Sequence, residues 1–129
     1  MKSIDVVAAI ILNKGKEVLL AQRPLGKDMA GMWEFPGGKI EATESEEDAV
    51  HRELEEELGL KVTILSRLGT FTHRYEWGEV RLIVFIVEAL NEPRATQDVQ
   101  VFRWETLDSV DLNDLTPADR APWTMFLTQ

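Results

Sequence analysis

The chain has 129 residues, of which 44% are hydrophobic and 29% charged, and its 23 acidic and 14 basic residues give a net charge of −9. These values are typical of one globular domain, residues 1–129, and the negative charge argues against a nucleic-acid polymer as a partner. The absence of cysteine excludes a disulfide framework, a thiolate metal site and a cysteine nucleophile. The longest apolar run, Val6–Leu12, is too short to cross a bilayer, so we expect no membrane association and a cytoplasmic location.

The N-terminal third is predicted to form a β-hairpin, a loop and a short strand. Val and Ile dominate its first apolar run, a turn signal follows at residues 13–16, and a second apolar run then begins. Pro and Gly residues mark the later boundaries. The predicted elements are the hairpin strands Ile4–Leu12 and Glu17–Arg23, the loop Pro24–Met32, and the strand Trp33–Phe35, which ends at Pro36-Gly37-Gly38.

A helix is predicted over Ser45–Leu58. Either Thr43 or Ser45 can cap it, since each stands three residues before an acidic side chain. An apolar residue recurs every four positions along it, and Gly59 stands where a left-handed helix terminator is expected. The apolar stripe consists of Val50, Leu54 and Leu58.

The C-terminal half is predicted to contain three strands and two helices. The strands are rich in β-branched residues, and the last helix has Pro in its first turn. Helices flanking a mixed sheet define an α/β, or layered α+β, fold class. The predicted elements are strands Val62–Phe71 and Val80–Leu90 with a turn at His73–Gly78, strand Val99–Trp104, a short helical stretch at Glu105–Val110, and helix Pro117–Leu127. The four tryptophans, Trp33, Trp77, Trp104 and Trp123, are expected to lie mostly in the core.

The first predicted helix carries a concentration of acidic residues. Between Glu41 and Glu57 there are nine acidic residues and a single Arg52. Helical spacing brings Glu53, Glu56 and Glu57 to one side, where like charges repel by about 0.2 to 0.5 kcal/mol per pair. Such a segment is either a solvated acidic face or a site for a divalent cation, which prefers clustered carboxylate oxygens.

The spacing of the residues around these acids has a recognisable pattern. It reads Gly38, five residues, Glu44, seven residues, Arg52-Glu53-Leu54, one residue, Glu56-Glu57, one residue, Gly59-Leu60. This pattern matches the Nudix box at every fixed position, so the chain resembles a Nudix hydrolase. It is similar to the MutT-like branch of that family at Ile4–Leu12, Arg23, Trp33–Lys39 and Pro117-Ala118-Asp119.

The resemblance implies a Nudix-type α/β/α sandwich and a metal centre that holds Mg²⁺, with Mn²⁺ as an alternative. The implied ligands are Glu53, Glu56, Glu57, the carbonyl of Gly37 and a further acid before the last strand, a place that Asp98 fits. MutT-like relatives usually carry Glu at that place, which is one methylene longer. A turn-forming role for Asp98 is therefore the alternative.

The resemblance also suggests which residues take part in catalysis. Glu53 is the expected general base, with Glu56 or Asp98 as alternatives. Arg52 and Glu44 are assigned to support, because Arg52 can orient Glu53 through a charge-assisted hydrogen bond.

The implied reaction splits a small-molecule nucleoside triphosphate into a monophosphate and pyrophosphate. Arg23 matches a position that contacts the phosphates, for which a guanidinium is suited. Phe35, together with Ile4, Val6 and Val80, is expected to line the base pocket. No obligate protein partner is evident.

Asp119 leaves the identity of the base open. The MutT-like 8-oxo-guanine enzymes use Asn at this position, because an amide both donates and accepts hydrogen bonds, whereas an ionised Asp only accepts. Oxidised or non-standard nucleotides such as 8-oxo-dGTP are the main expectation, and CTP or a modified dCTP, whose amine suits an acceptor, is the alternative. A protonated Asp119 would restore the donor.

A function without catalysis is the second alternative. A Nudix-like sensor would hold a nucleotide without hydrolysing it, and such a protein is expected to have lost some metal ligands. Glu53, Glu56 and Glu57 are all present here.

Overall fold

The computed structural model describes residues 2–129, which form seven strands and two α-helices. In chain order the elements are β1 (Lys2–Leu12), β2 (Glu17–Gln22), β3 (Trp33–Glu34), β4 (Gly37–Lys39), α1 (Glu46–Leu58), β5 (Val62–Tyr75), β6 (Gly78–Ala89), β7 (Phe102–Thr106) and α2 (Pro117–Leu127). Two 3₁₀ turns, Leu107–Ser109 and Leu112–Asp114, connect β7 to α2. Within residues 2–129, no helix is long and apolar enough to cross a membrane.

A parallel pair of long strands forms the centre of the mixed sheet. β1 runs parallel to β6 from the Lys2–Gly78 pair to the Leu12–Glu88 pair, and β5 continues the sheet antiparallel to β6. On the other side, β2 pairs with β7 and meets β1 only near Leu12. The central strands are apolar on both faces because both faces are covered.

Two hydrophobic clusters cover the two faces of the sheet. Alternate residues of β1 point in opposite directions, so Val7, Ala9 and Ile11 pack with the apolar stripe of α1, while Ala8 and Ile10 pack with Trp123 of α2. A sheet between two helical layers confirms the predicted α/β/α class.

The segment between residues 33 and 39 is inserted where β1 and β2 diverge. β3 pairs with β2 through Ala21 and Glu34, and β4 pairs with β1 through Val7 and Gly38. We predicted a strand Trp33–Phe35 that ends at Pro36-Gly37-Gly38. β3 instead ends at Glu34, and after Phe35 and Pro36 the two glycines belong to a new strand, β4. The missing side chain explains this, since a Cβ on Gly37 would overlap the carbonyl oxygen of Val7.

Capping residues next to the helix determine where α1 begins and ends. Ser45 is the N-cap, and its hydroxyl oxygen accepts a hydrogen bond from the amide of Asp48 at 3.0 Å. Gly59 ends the helix in the left-handed conformation, with φ 63°, as predicted. Of the two capping candidates, the structure therefore uses Ser45.

Three predicted boundaries require correction. β5 continues to Tyr75, so the turn between β5 and β6 is shorter than the predicted His73–Gly78. β7 begins at Phe102 rather than Val99, and the helical stretch predicted from Glu105 is reduced to a 3₁₀ turn, because β7 stays paired with β2 through Thr106.

Replacing Gly37 with Ala should destabilise the fold by about 1 to 3 kcal/mol, the usual cost of forcing an extra carbon into a packed site. Gly15→Ala is the matched control, because its nearest contact, to the Asn13 side chain, is at an ordinary 3.5 Å. Urea unfolding of both variants measures the difference. Equal midpoints for the two would contradict the close approach of β4 to β1.

Candidate active site

Arg52 on α1 connects the acidic residues to the loop before the helix. Its Nε and Nη2 donate to the two carboxylate oxygens of Glu44 at 2.6 and 2.9 Å, and its Nη1 donates to Glu53 at 2.9 Å. Nη2 also donates to the carbonyl of Lys39 at 3.0 Å. Because the guanidinium is planar, these contacts fix the orientation of both carboxylates.

Glu44 and Arg52 both remain charged near neutral pH. The hydrogen bond from Arg52, helped by the backbone amide of Glu41, lowers the pKa of Glu44 to about 2. The same contact raises the pKa of Arg52. The Arg52–Glu44 ion pair therefore stays charged and connects the loop to the helix, and neither residue exchanges protons near neutral pH. This is consistent with the supporting role expected for both residues.

The carboxylates of Glu53 and Glu57 lie against the backbone of β4. Gly37 donates its amide hydrogen to Glu57 at 3.2 Å, and a Cβ on Gly38 would approach the Glu53 carboxyl to 2.5 Å. Burial raises the pKa of Glu53, and burial together with the negative charge of Glu53 raises the pKa of Glu57 to about 8. The carboxyl groups of Glu53 and Glu57 are therefore held close together although their negative charges repel each other.

The remaining acids lie at the edge of this group. The Glu56 side chain is 56% exposed and contacts Arg52 at 3.3 Å. Asp98 is exposed, its amide donates to the hydroxyl of Thr96, and its charge also raises the pKa of Glu57. Asp98 and Glu57 both line the cleft described below.

The donor set fits a hard divalent cation, although the side chains are not gathered around one point. Within residues 2–129, no three His, Cys, Asp or Glu side chains are arranged so that they could hold a metal ion as they stand. Glu53 is instead paired with Arg52, and Glu57 with the amide of Gly37. A cation would require modest side-chain rotations toward it, and it would relieve the repulsion that raises the pKa of Glu57.

A cleft of about 530 Å³ lies beside Glu57 and Asp98, and Glu53 and Glu56 are not among its lining residues. Gly37, Thr116 and Asp119 also line it. Of the other residues expected to contact substrate, Arg23, Phe35, Val6 and Val80 border the cleft. Ile4 is not among its lining residues, so it is not brought to this site.

Asp119 is a buried acidic residue that lines the cleft. It is 5% exposed, and its Oδ2 accepts hydrogen bonds from the amide of Phe35 at 2.9 Å and from the hydroxyl of Thr116 at 3.2 Å. Burial raises the pKa of Asp119 to about 7, against the effect of the Phe35 amide. Because Oδ2 already has two donors, Oδ1 is the oxygen that remains for a ligand.

The aromatic surface of the cleft differs from the prediction. Phe35 borders the cleft, although it is only 4% exposed and its ring packs on Trp123, 5.8 Å between centroids. Trp77, expected in the core, is 49% exposed and stacks on Tyr75 at 5.3 Å with an interplanar angle of 6°. Both rings line the cleft. The expectation of a core position is confirmed for Trp123, whereas Trp33 and Trp104 are half-buried.

Arg23 borders the cleft, and its ion-pair partner there, Glu34, was not predicted as a site residue. Its Nη1 donates to Glu34 at 3.1 Å, and its Nε donates to the carbonyl of Asp28 at 2.7 Å. Burial raises the pKa of Glu34, and the charge of Arg23 partly offsets that effect. The sequence signal that could have identified Glu34 is its position as a charged residue between two aromatic residues, Trp33 and Phe35.

Comparison with known proteins identifies relatives of this chain from its sequence. The NUDIX domain model matches residues 2–126. The chain is 39% identical over 119 residues to a protein of Escherichia coli (strain K12) named CTP pyrophosphohydrolase, covering 92% of this chain and 87% of that protein. It is 43% identical over 86 residues to a Proteus vulgaris protein named 8-oxo-dGTP diphosphatase, covering 67% of this chain and 77% of that protein.

Solved structures share the same fold. The solution structure of the E. coli ORF135 protein matches with a TM-score of 0.86 and 37% identity, over 99% of this chain and 91% of that chain. The crystal structure of a MutT protein from Methanosarcina mazei Go1 matches with a TM-score of 0.84 and 26% identity, over 98% of this chain and 94% of that chain. The family model, the relatives and the acids on α1 agree, and the chain belongs to the Nudix hydrolase family.

Proposed function

We propose that residues 1–129 act as a single-domain, Mg²⁺-dependent nucleoside triphosphate pyrophosphohydrolase of the cytoplasmic nucleotide pool. The reaction converts a triphosphate and water into a monophosphate and pyrophosphate. The observation that carries this proposal is that one cleft is lined both by Glu57, beside the acids of α1, and by the buried Asp119. A nucleotide has matching groups, with phosphates at one end and a hydrogen-bonding base at the other.

Divalent metal ions are generally used by this family, and Mg²⁺ suits the carboxylates present, with Mn²⁺ as an alternative. Glu53, Glu56, Glu57 and the carbonyl of Gly37 would hold it, and Asp98 would join them. The bound cation supplies neutralisation of phosphate charge and a more acidic water. Arg52 keeps Glu53 in place throughout, since Glu44 and the Lys39 carbonyl hold the guanidinium.

Glu53 is the proposed general base. Its side chain is 14% exposed and burial raises its pKa, both of which favour accepting a proton from a nearby water. Arg23 is the proposed phosphate contact. Its Nη1 and Nε are held by Glu34 and by the Asp28 carbonyl, which leaves Nη2 available at the cleft.

Asp119 is the proposed reader of the base. When protonated it donates from Oδ1 and suits the O6 of an oxidised guanine, and when ionised it accepts and suits the amine of cytosine. A pKa of about 7 makes both forms accessible near neutral pH. Removal of 8-oxo-dGTP and other non-standard nucleotides, which protects DNA, is therefore the main proposal, and CTP or modified dCTP hydrolysis is the alternative. Relatives named for each activity support both.

The direct test is a product assay over a panel of normal and oxidised triphosphates with Mg²⁺. We expect pyrophosphate rather than orthophosphate as the product, with a preference among 8-oxo-dGTP, CTP and modified dCTP. Tight nucleotide binding without any product would instead support a sensor.

Glu53→Gln should reduce turnover at least about 10²-fold, because an amide neither accepts the proton nor neutralises metal charge. Glu55→Gln is the control on the same helix, since the Glu55 side chain is exposed and, among residues 2–129, its one side-chain hydrogen bond is from Lys61, at 3.5 Å. Rates at saturating Mg²⁺ measure the effect. A Glu53 variant within a few fold of wild type would remove Glu53 from the proposed role.

Mg²⁺ with a nucleotide should stabilise the folded protein, because only the folded state presents the acids together. At 100 times the dissociation constant the gain is about 2.7 kcal/mol. Glu57→Gln should be more stable than wild type without ligands, because a buried, repelled carboxylate is removed, and should gain less from them. Thermal unfolding with and without both ligands measures these changes, and an unresponsive wild type would favour a merely solvated acidic face.

Asp119→Asn should change base preference toward 8-oxo-dGTP by roughly 10- to 100-fold relative to CTP, because Asn always carries a donor. In wild type, the preference for 8-oxo-dGTP should fall as pH rises through about 7, where Asp119 loses its proton. The Asn variant should show no such change. The measurement is the ratio of kcat/KM for the two substrates against pH, and identical profiles for both proteins would mean that Asp119 does not read the base.

A further inference from the structure

The segment that follows β6 covers the C-terminal end of α1. The last carbonyl groups of a helix have no hydrogen-bond donor within the helix, so they need partners from elsewhere. Three consecutive carbonyls, those of residues 57–59, accept hydrogen bonds from this segment. The pairs are the hydroxyl of Thr96 to Glu57 at 2.6 Å, the amide of Arg94 to Leu58 at 2.9 Å, and the side-chain amide of Asn91 to Gly59 at 3.0 Å.

Thr96 makes the contact to Glu57, and its hydroxyl is fully used. Besides donating to the Glu57 carbonyl, the hydroxyl oxygen accepts from the amide of Asp98 at 3.2 Å and from the amide of Val99 at 3.3 Å. A hydroxyl has one donor and two acceptor positions, so all three are occupied. One oxygen atom therefore contacts the backbone of both Glu57 and Asp98.

The loop of residues 96–99 is also closed by its own backbone and anchored by packing. The amide of Thr96 donates to the carbonyl of Val99 at 2.9 Å. The Val99 side chain is 8% exposed and belongs to the same hydrophobic cluster as Leu54 and Leu58 of α1. Asp98 itself is exposed and lines the cleft. The loop is thus fixed to α1 on both sides of Asp98.

The short side chain of Asp98 makes this attachment important. A single methylene separates an aspartate carboxylate from its Cα, so the carboxylate moves with the backbone. An oxygen ligand of Mg²⁺ has to lie about 2.0 to 2.1 Å from the ion, and this ion tolerates little deviation from its preferred geometry. The hydroxyl that holds the backbone of Asp98 against that of Glu57 therefore controls whether both carboxylates can bind one cation.

We propose that Thr96 is a positioning residue whose hydroxyl holds Asp98 where it can bind the same divalent cation as Glu57. This inference rests on the proposed function, because it requires a cation at these acids. The competing explanation is that Thr96 only caps the C-terminal end of α1. In that case its loss would affect the acids of the helix to the same extent whether or not Asp98 is present.

The test is a double-mutant cycle between Thr96→Ala and Asp98→Ala, in which the dissociation constant of Mn²⁺ is measured by electron paramagnetic resonance without nucleotide. Thr96→Ala alone should weaken Mn²⁺ binding about 10-fold, as the loss of a group that orients a metal ligand commonly does. In the Asp98→Ala background the same change should have less than about a twofold effect, because no carboxylate remains to be positioned. Equal losses in both backgrounds would overturn the inference.

Two further variants show whether the hydroxyl is responsible. Thr96→Ser differs from Thr96→Ala only by the hydroxyl, and it should bind Mn²⁺ within about twofold of wild type. Thr128→Ala is the matched control, because the hydroxyl of Thr128 also donates to a carbonyl at a helix end, that of Met125 at 2.8 Å, and Thr128 does not line the cleft. It should leave Mn²⁺ binding unchanged. A loss in Thr96→Ser as large as that in Thr96→Ala would contradict the proposed role of the hydroxyl.

Hydrolysis rates separate this inference from the proposed function. In Thr96→Ala the Mg²⁺ concentration that gives half the maximal rate should rise about 10-fold, while the rate at saturating Mg²⁺ stays within about threefold of wild type. If wild type hydrolyses no triphosphate, the proposed function fails, and the Mn²⁺ dissociation constants still decide the role of Thr96. If wild type binds Mn²⁺ no more tightly than Asp98→Ala, the inference is overturned, because Asp98 then holds no cation.

Discussion

The carboxylates on one side of α1 cannot all be ionised without a positive charge between them, and this constraint organises the surrounding structure. Arg52 supplies a permanent charge, and it is itself fixed by Glu44 and by the carbonyl of Lys39. The loop before the helix is therefore tied to the helix through the same guanidinium that orients Glu53. The negative charge that Arg52 leaves unneutralised, most clearly at Glu57, is where the divalent cation of the proposed function would bind.

A single short segment, residues 33–39, contacts both Glu57 and Asp119 and contributes side chains to the cleft. Gly37 contacts Glu57 through its amide, Phe35 contacts Asp119 through its amide, and the side chain of Glu34, which precedes Phe35, lines the same cleft. The segment is held rigidly because β3 pairs with β2 and β4 pairs with β1. Its end also bonds to the start of α2, since the amide of Thr116 donates to the carbonyl of Trp33 at 2.9 Å. The separation of Glu57 from Asp119 is thereby linked to the backbone of this segment.

Periodic and local signals predicted most of the fold. The stripe along α1, the capping Ser45 and the terminating Gly59 depend on neighbouring residues only, so the helix was predicted within one residue. The insertion of β4 beside β1 depends on residues about 30 positions away, and no local pattern indicates it. The Nudix box indicated the acids of α1 directly. Glu34, Tyr75 and Trp77 were missed as site residues because only the folded sheet brings them to the cleft.

The parallel alignment of β1 with β6 has a consequence for how the chain folds. The Asp5–Arg81 ion pair across these strands joins residues 76 positions apart, whereas β5 and β6 form a hairpin from neighbouring sequence. Because closing a long loop costs entropy before the contacts are gained, the central pair forms late and the hairpin can form early. During synthesis β1 emerges well before β6, and its apolar faces stay uncovered until β6 leaves the ribosome. A strand whose residues 7–11 are all buried in the folded protein is thus open to aggregation before folding is complete.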